Sequence, residues 1–208
     1  MLDRWALQLV KKPLNAGAVI LARHSVSADS VTVAGFAVGL LALPALFMKL
    51  YWVALVCILI NRVADGLDGA IARIQGPTDG GGFLDITLDF IFYSSVVFGF
   101  ALADPERNGL AATALLFAFV GTGSSFLAFA IMAEKRGLTN FKYPNKGFFY
   151  LAGLAEGTET LCFFVFFCLF PGFFTELAYT FAVICMITVI TRVSGGYLAL
   201  RNDDSGTV

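Results

Sequence analysis

The sequence DGLDGAIAR, residues 65–73, lies within apolar sequence and carries two aspartates, Asp65 and Asp68, three positions apart. A second pair, Asp85 and Asp89, follows with a spacing of four. Residues three or four apart share one face of an α-helix, so each pair presents two carboxylates on the same side. Carboxylates at membrane depth are costly and face a cavity or a cation rather than lipid. The stretch therefore predicts a polar site inside an apolar helical protein.

The composition places the chain in a membrane. Of its 208 residues, 58% are hydrophobic and only 14% are charged, whereas a soluble domain carries about 25% charged residues. Because a helical span needs about 20 apolar residues, we predict an all-α integral membrane fold with roughly six transmembrane helices in a single domain. The formal net charge is −1, and we expect membrane lipids but no nucleic acid among the partners.

Apolar runs and turn residues predict the boundaries of the spans. Residues 2–23 combine apolar and basic positions at near-helical spacing, which is typical of an amphipathic helix that lies in the membrane interface. Ser27 to Ser30 form a break with a candidate N-cap. The predicted polar loops include residues 76–80, 104–108 and 134–147. The predicted spans cover, in chain order, about 31–48, 53–74, 82–102, 109–133, 148–170 and 174–200.

The basic residues lie almost entirely on one side of this topology. With a cytoplasmic N-terminus, Lys49 and Arg107 lie on the far side of the membrane. The cytoplasmic side then holds Arg4, Lys11, Lys12, Arg23, Arg62, Arg73, Lys135, Arg136, Lys142, Lys146, Arg192 and Arg201. Because basic residues concentrate on the cytoplasmic side, both termini and the four aspartates are expected there. A bacterial inner membrane suits so compact a chain.

The chemistry of four carboxylates indicates divalent metal. Oxygen ligands suit Mg²⁺ or Mn²⁺, which also bind phosphate oxygens. A site with two metal ions can clamp a diphosphate and stabilise the attacking and leaving oxygens, and a carboxylate can accept a hydroxyl proton. Gly69 and Ala72 are small enough to let a bulky group approach the helix, and Arg73 can hold a phosphate. Together these features predict transfer on a lipid-linked diphosphate.

These positions resemble the signature of the CDP-alcohol phosphatidyltransferases, D-x2-D-G-x2-A-R-x8/9-G-x3-D-x3-D. All eight fixed letters match, at Asp65, Asp68, Gly69, Ala72, Arg73, Gly81, Asp85 and Asp89. The chain departs from the pattern in one respect, because only seven residues separate Arg73 from Gly81. We expect the missing residue to lie in the turn between Arg73 and Thr78.

The resemblance implies a fold, a reaction and residue roles. The family's core is six spans preceded by an interfacial helix, and its members commonly form homodimers. Its reaction is attack by an alcohol hydroxyl on the phosphatidyl phosphorus of a CDP-linked lipid such as CDP-diacylglycerol, with release of CMP, in phospholipid biosynthesis. By this resemblance Asp65, Asp68, Asp85 and Asp89 bind the Mg²⁺ or Mn²⁺ ions, two in number, and Asp89 is also the catalytic base.

The CDP site is implied by the same resemblance. Its lining would include Gly69, Ala72, Arg73 and Gly81. Asp29 and Thr32 resemble the family's P-N/D-x-x-T entry to the first span, although Ala28 stands where the proline is usual. These two residues are therefore further candidates for the CDP site.

Other polar residues in the spans have two interpretations each. Glu156 and Arg192 shape an acceptor pocket, with Arg192 holding a phosphorylated polyol such as glycerol 3-phosphate, or they pair to neutralise buried charge. Arg62 counters the aspartates or binds a phosphate in the same pocket. The cations Lys135, Arg136, Lys142 and Lys146 are positive-inside residues or substrate ligands. Gly35 and Gly39 form a packing notch within one chain or a dimer contact.

Two other functions could use buried carboxylates. A cation transporter or channel would spread acidic residues along a path through the membrane, whereas here they cluster at one end of two spans. A prenyl-diphosphate transferase would need more spans and a different aspartate spacing. The clustered carboxylates favour the phosphatidyltransferase over both alternatives.

Overall fold

The computed structural model describes residues 3–136 and 155–204, and every regular element within those ranges is helical. This confirms the predicted all-α class. A 3₁₀ turn, Pro171–Phe173, precedes the last helix. The α-helices are α1 (Asp3–Arg23), α2 (Ala28–Leu40), α3 (Ala42–Phe47), α4 (Tyr51–Gln75), α5 (Asp79–Ala103), α6 (Pro105–Lys135), α7 (Gly157–Leu169) and α8 (Phe174–Asp204).

The first predicted span consists of two helices rather than one. It begins at residue 28 instead of 31, because the Ser27 hydroxyl accepts a hydrogen bond from the Ser30 amide and caps α2. The helix is interrupted at Leu41 before α3. The cause is Pro44, which lacks an amide hydrogen and whose ring clashes with the carbonyl four residues earlier.

The turn between α4 and α5 is shorter than predicted. It contains only residues 76–78, because the Thr78 hydroxyl accepts a hydrogen bond from the Gly81 amide and caps α5 three residues before the predicted start. Gly76 has φ of +98°, a backbone conformation that glycine adopts without a steric cost. This tight turn lies within the segment where the residue missing from the family pattern is expected.

The predicted loop at residues 104–108 is wrong, because α6 already begins at Pro105. Asp104 alone joins the two helices, and its carboxylate accepts a hydrogen bond from the Arg107 amide. Proline suits the first helical position, where its missing amide hydrogen would have no partner. The Asp-Pro pair therefore starts a helix here rather than a loop.

Glu156 lies at the N-terminus of α7, whereas the predicted fifth span, residues 148–170, placed it inside a helix. The first helical residue is Gly157. The amide of Ala155 donates to the Thr188 hydroxyl on α8, so it is not available for the bond to the carbonyl four residues earlier that a continuous helix would need. The earlier part of the predicted fifth span, with Lys142 and Lys146, lies outside the described residues.

Aromatic side chains form the core among the last helices. Phe100 on α5 stacks on Phe174 of α8 with ring centroids 4.6 Å apart, and Phe164 meets Phe92 edge-on. Helix α6 packs along α8. Among the earlier helices, α2 packs against both α4 and α5. Helix α2 thus lies beside the two helices that carry the aspartates.

The outward faces of the bundle are apolar. Leu110 is 75% exposed and Val120 is 70% exposed, as expected for side chains that contact lipid. Helix α4 carries four charged residues from Arg62 onward, and α7 has 13 residues. Within residues 3–136 and 155–204, four stretches are long and apolar enough to cross a membrane: Ala28–Phe47, Asp79–Ala103, Pro105–Lys135 and Pro171–Arg201.

Candidate metal and substrate site

Three of the four aspartates meet between α4 and α5. Asp65, Asp68 and Asp85 each bring one carboxylate oxygen to within 4.8 Å of the others. Asp68 is only 5% exposed, and its Oδ2 atom is buried with no hydrogen-bond partner among the described residues. A buried oxygen without a partner is costly unless a cation or a donor satisfies it. Because these ligand atoms are all carboxylate oxygens, the site fits a hard divalent cation such as Mg²⁺ or Mn²⁺.

The fourth aspartate is paired with an arginine. The Arg62 Nη2 atom lies 2.6 Å from Asp89 Oδ1, and Nη1 lies 3.5 Å from Asp89 Oδ2. Arg62 Nη1 is also 3.7 Å from Asp65 Oδ2. Of the two interpretations of Arg62, the geometry favours the counter-ion to the aspartates.

The sequence did not single out the residues that hold Arg62. Its Nη1 atom donates to the Tyr93 hydroxyl at 2.7 Å, and its guanidinium lies over the Phe92 and Tyr93 rings. Its Nε atom donates to Asn61 Oδ1 at 2.9 Å, and the Asn61 amide donates to the Gly35 carbonyl on α2. Only Tyr93, two turns after Asp85 and one turn after Asp89 on the same face of α5, offered a signal by its spacing.

An open groove with a volume of about 330 Å³ leads to the carboxylates. Five residues that the sequence assigned to the CDP site line it, namely Asp29, Thr32, Gly69, Ala72 and Gly81. Asp68 and Asp85 also line this groove, so it opens onto the three-aspartate cluster. Arg73 is not among the residues that line the groove. Its Nη1 atom lies near the groove residue Gly69, since a Cβ added to Gly69 would be 3.5 Å from it.

Close packing at Gly81 keeps this groove open. A Cβ on Gly81 would lie 2.9 Å from Asp29 Oδ1 and 3.0 Å from Thr78 Oγ1, so a side chain there would displace these two groove residues. Gln75, which the sequence did not single out, donates to the Val26 carbonyl and ties the end of α4 to the segment before α2.

The glycine pair of α2 is a packing notch within the chain, as predicted. A Cβ on Gly35 would lie 2.4 Å from the Ala64 Cβ atom, and one on Gly39 would lie 2.9 Å from Asn61. The two glycines therefore let α2 lie directly against the face of α4 that precedes the aspartates.

Helix α1 packs on the aspartate helix itself. A Cβ on Gly66 would lie 2.7 Å from Leu14 Cδ1, and one on Gly17 would lie 3.1 Å from Leu67 Cδ2. Ala18 is fully buried in a small cluster with Ala70 and Ile71. The first helix thus covers the backbone of α4 between Asp65 and Asp68.

A second pocket contains the predicted acceptor residues. Glu156 and Arg192 both line it, together with Tyr93, Phe126 and Thr122. Arg192 Nη1 donates to the Thr122 carbonyl at 3.1 Å, and its guanidinium lies 5.7 Å from the centre of the Phe126 ring. The charges of Glu156 and Arg192 are close enough to interact. Arg62 does not line this pocket, but its Nη1 atom donates a hydrogen bond to Tyr93, which does. Of the loop cations in the described part, Arg136 donates to the Leu200 carbonyl.

Comparisons with known proteins agree on the kind of protein that has this site. A family profile described as CDP-alcohol phosphatidyltransferase matches residues 25–194. The chain is 52% identical over 202 residues to inner membrane protein YnjF of Escherichia coli (strain K12), which covers 97% of this chain and 98% of the relative. It is 34% identical over 99 residues to the archaetidylinositol phosphate synthase of Pyrococcus horikoshii, over 47% of this chain and 53% of that one.

Solved structures show the same fold. A structure of the Mycobacterium tuberculosis phosphatidylinositol phosphate synthase (PgsA1) with CDP-DAG bound superposes with a TM-score of 0.64 at 21% identity, covering 88% of this chain and 93% of that one. A structure of the same synthase in complex with manganese and citrate gives a TM-score of 0.63, at 21% identity and 88% coverage of both chains.

Proposed function

Because the chain belongs to the CDP-alcohol phosphatidyltransferase family, we propose that it transfers a phosphatidyl group from a CDP-linked lipid such as CDP-diacylglycerol to an alcohol and releases CMP. One observation carries this proposal. The groove lined by Gly69, Ala72 and Gly81 opens onto the same Asp68 and Asp85 carboxylates that form the metal cluster. A diphosphate in the groove would therefore reach the metal ligands.

Three residues on one face of α5 have different roles in the proposed reaction. Asp85 lines the groove, Tyr93 lines the second pocket, and Asp89 lies between them at successive steps of four residues, or about 6 Å of helix rise each. The acceptor hydroxyl attacks the phosphatidyl phosphorus from the second pocket and gives its proton to Asp89. The bond between phosphorus and the CMP oxygen breaks, and CMP leaves through the groove.

Divalent ions complete this site. Mg²⁺ or Mn²⁺, in two positions with Asp89 as a ligand of the second, would stabilise charge on the attacking and leaving oxygens. Support comes from the relative that was solved with manganese and, separately, with CDP-DAG. The fit of the three-aspartate cluster to a hard cation supports the same assignment.

We propose a phosphorylated polyol, such as glycerol 3-phosphate, as the acceptor. Arg192 is 9% exposed and lies in the second pocket, where a cation can bind a phosphate group. The cation transporter or channel is disfavoured, since Asp65, Asp68 and Asp85 lie within one cluster and not along a path.

The membrane arrangement that we propose has six spans and a homodimeric state, in a bacterial inner membrane. The relative from E. coli is an inner membrane protein by name, and apolar helices dominate the described part. The excess of basic residues supports cytoplasmic termini and a cytoplasmic opening of the groove. An interfacial position for α1 agrees with its mixed apolar and basic sequence.

A screen for CMP release tests the reaction. Purified chain in detergent with Mn²⁺ and CDP-diacylglycerol should release CMP when it is given the right alcohol among glycerol 3-phosphate, inositol phosphate, serine, choline and phosphatidylglycerol. We expect glycerol 3-phosphate or inositol phosphate to give the fastest release, because Arg192 can bind their phosphate. Release with none of the alcohols would contradict the proposed reaction, and release with serine or choline alone would contradict the acceptor class.

Chemical labelling tests the orientation. A cysteine at Gly80, where a side chain would meet nothing within 4 Å, should react with a membrane-impermeant maleimide only after the bacterial membrane is permeabilised. Its matched control is Glu106→Cys, at the exposed start of α6 on the opposite end of the bundle, which should react in intact cells. The opposite pattern of labelling would reverse the proposed topology.

A further inference from the structure

The four aspartates of the site differ in their surroundings. Asp65, Asp68 and Asp85 present oxygens to one another within 4.8 Å. Asp89 instead has each of its carboxylate oxygens facing a different nitrogen of Arg62, at 2.6 and 3.5 Å. Arg62 Nη1 also lies 3.7 Å from Asp65 Oδ2, so the guanidinium borders the three-aspartate site but lies nearest to the fourth carboxylate, that of Asp89.

Arg62 is fixed in place by the scaffold. Its Nε and Nη2 atoms both donate to Asn61 Oδ1, at 2.9 and 2.5 Å. Asn61 is anchored in turn, because its amide donates to the Gly35 carbonyl and a Cβ on Gly39 would collide with it. The Arg62 side chain is only 11% exposed. A guanidinium with this many partners holds its position beside Asp89 instead of moving freely in solvent.

A fixed positive charge opposes a divalent ion at the same carboxylate. At an effective dielectric constant of about 20, the repulsion between a single and a double charge a few ångströms apart is several times the thermal energy. The four carboxylates and Arg62 carry a formal charge of −3, which one divalent ion changes to −1. A second ion alone would make the site positive, whereas a second ion that arrives with a diphosphate of about two negative charges would leave it at −1.

We propose that Arg62 sets the order of metal binding: the free chain binds one divalent ion tightly at Asp65, Asp68 and Asp85, and takes a second ion at Asp89 only together with a diphosphate. Arg62 is thus a positioning residue that prevents the second metal position from filling before the substrate arrives. This inference rests on the proposed function, since it takes the diphosphate of a CDP-linked lipid as the group that offsets the Arg62 charge.

Equilibrium dialysis with Mn²⁺ tests the order without any turnover. Bound Mn²⁺ is the difference between the Mn²⁺ concentrations of the protein compartment and the buffer compartment. Both compartments contain the same concentration of CDP. We expect the full chain in detergent to bind one tight ion, and two in the presence of CDP. Arg62→Gln should bind two ions without CDP, with the affinity of the second site raised about tenfold or more, because the opposing charge is gone. Arg62→Lys, which keeps the charge, and Arg107→Gln, which removes a charge at the far end of the bundle, should both bind one.

Two results would overturn the proposal: two tight ions on the wild-type chain without CDP, or one ion on Arg62→Gln. If Arg62→Gln does not fold, the wild-type measurement decides, because a failure of CDP to recruit the second ion also overturns the proposed order. No acceptor alcohol is present, so the result is independent of the CMP-release screen. Ordered binding in a chain that releases no CMP would support the role of Arg62 and contradict the reaction.

Discussion

Asp89→Asn should lower the rate of CMP release at least about 10³-fold, since a positioned general base alone contributes roughly 10²–10⁴-fold. The amide has nearly the same shape as the carboxylate but cannot accept the hydroxyl proton. It also cannot neutralise Arg62, whose Nη2 atom lies 2.6 Å from Asp89. The measurement is initial CMP release from CDP-diacylglycerol with the best alcohol of the screen, at saturating Mn²⁺.

The control for this variant is Asp79→Asn. It makes the same chemical change on the same helix, in the first turn of α5, and should keep the wild-type rate. Retention of the tight Mn²⁺ ion by Asp89→Asn would show that the chain is folded, because the three other aspartates form that site. Turnover within tenfold of wild type in a folded Asp89→Asn chain would show that Asp89 is not the base.

Gly35→Ala should destabilise the protein and impair the site together. The new methyl group would lie 2.4 Å from the Ala64 Cβ atom, so α2 has to move away from α4. Overpacking of this kind costs about 1–3 kcal/mol, which corresponds to a fall in the melting temperature of roughly 2–12 °C for a chain of this size. CMP release should fall at least about tenfold, because a misplacement of about 1 Å can cost up to 10²-fold and α2 carries Thr32 and Asp29 in the groove wall.

Gly109→Ala is the matched substitution for this experiment. Gly109 lies in α6 with nothing within 4 Å of an added Cβ, so the change should leave the melting temperature equal or slightly higher, as alanine is the better helix former. Melting followed by intrinsic fluorescence in detergent would compare the two variants. Equal melting temperatures for Gly35→Ala and wild type would mean that α2 and α4 are less tightly packed than the structure shows.

The sequence predicted that the four aspartates lie together, and the structure brings the carboxylates of Asp65, Asp68 and Asp85 into one cluster. Asp65 and Asp68 share a helix face by spacing, and the motif through Gly81 and Asp85 places the second helix beside the first. The notch at Gly35 was equally predictable, because two glycines four apart on one face favour close helix packing. The carboxylate pairs and the glycine pair follow from local periodicity, whereas the residues of the groove were implied by the resemblance to the family signature.

Contacts between distant segments could not be predicted in the same way. The partner of Arg62 depends on the orientation of Asn61, which is set by a carbonyl on another helix. Just before the start of α7, the Ala155 amide donates to the hydroxyl of Thr188, 33 residues away. In contrast, the missed helix start at Pro105 had a local signal, an aspartate followed by a proline, that is typical of a helix N-terminus.

The packing of Leu14 against Gly66 determines where the domain boundary should be placed when segments are exchanged between proteins. The family match begins at residue 25, yet Leu14, Gly17 and Ala18 lie against the helix that carries the first two aspartates. The boundary defined by homology and the boundary defined by packing therefore differ by a whole helix. A chimera that exchanges segments at residue 25 would separate the aspartate helix from its own cover, so a junction for domain grafting belongs before α1.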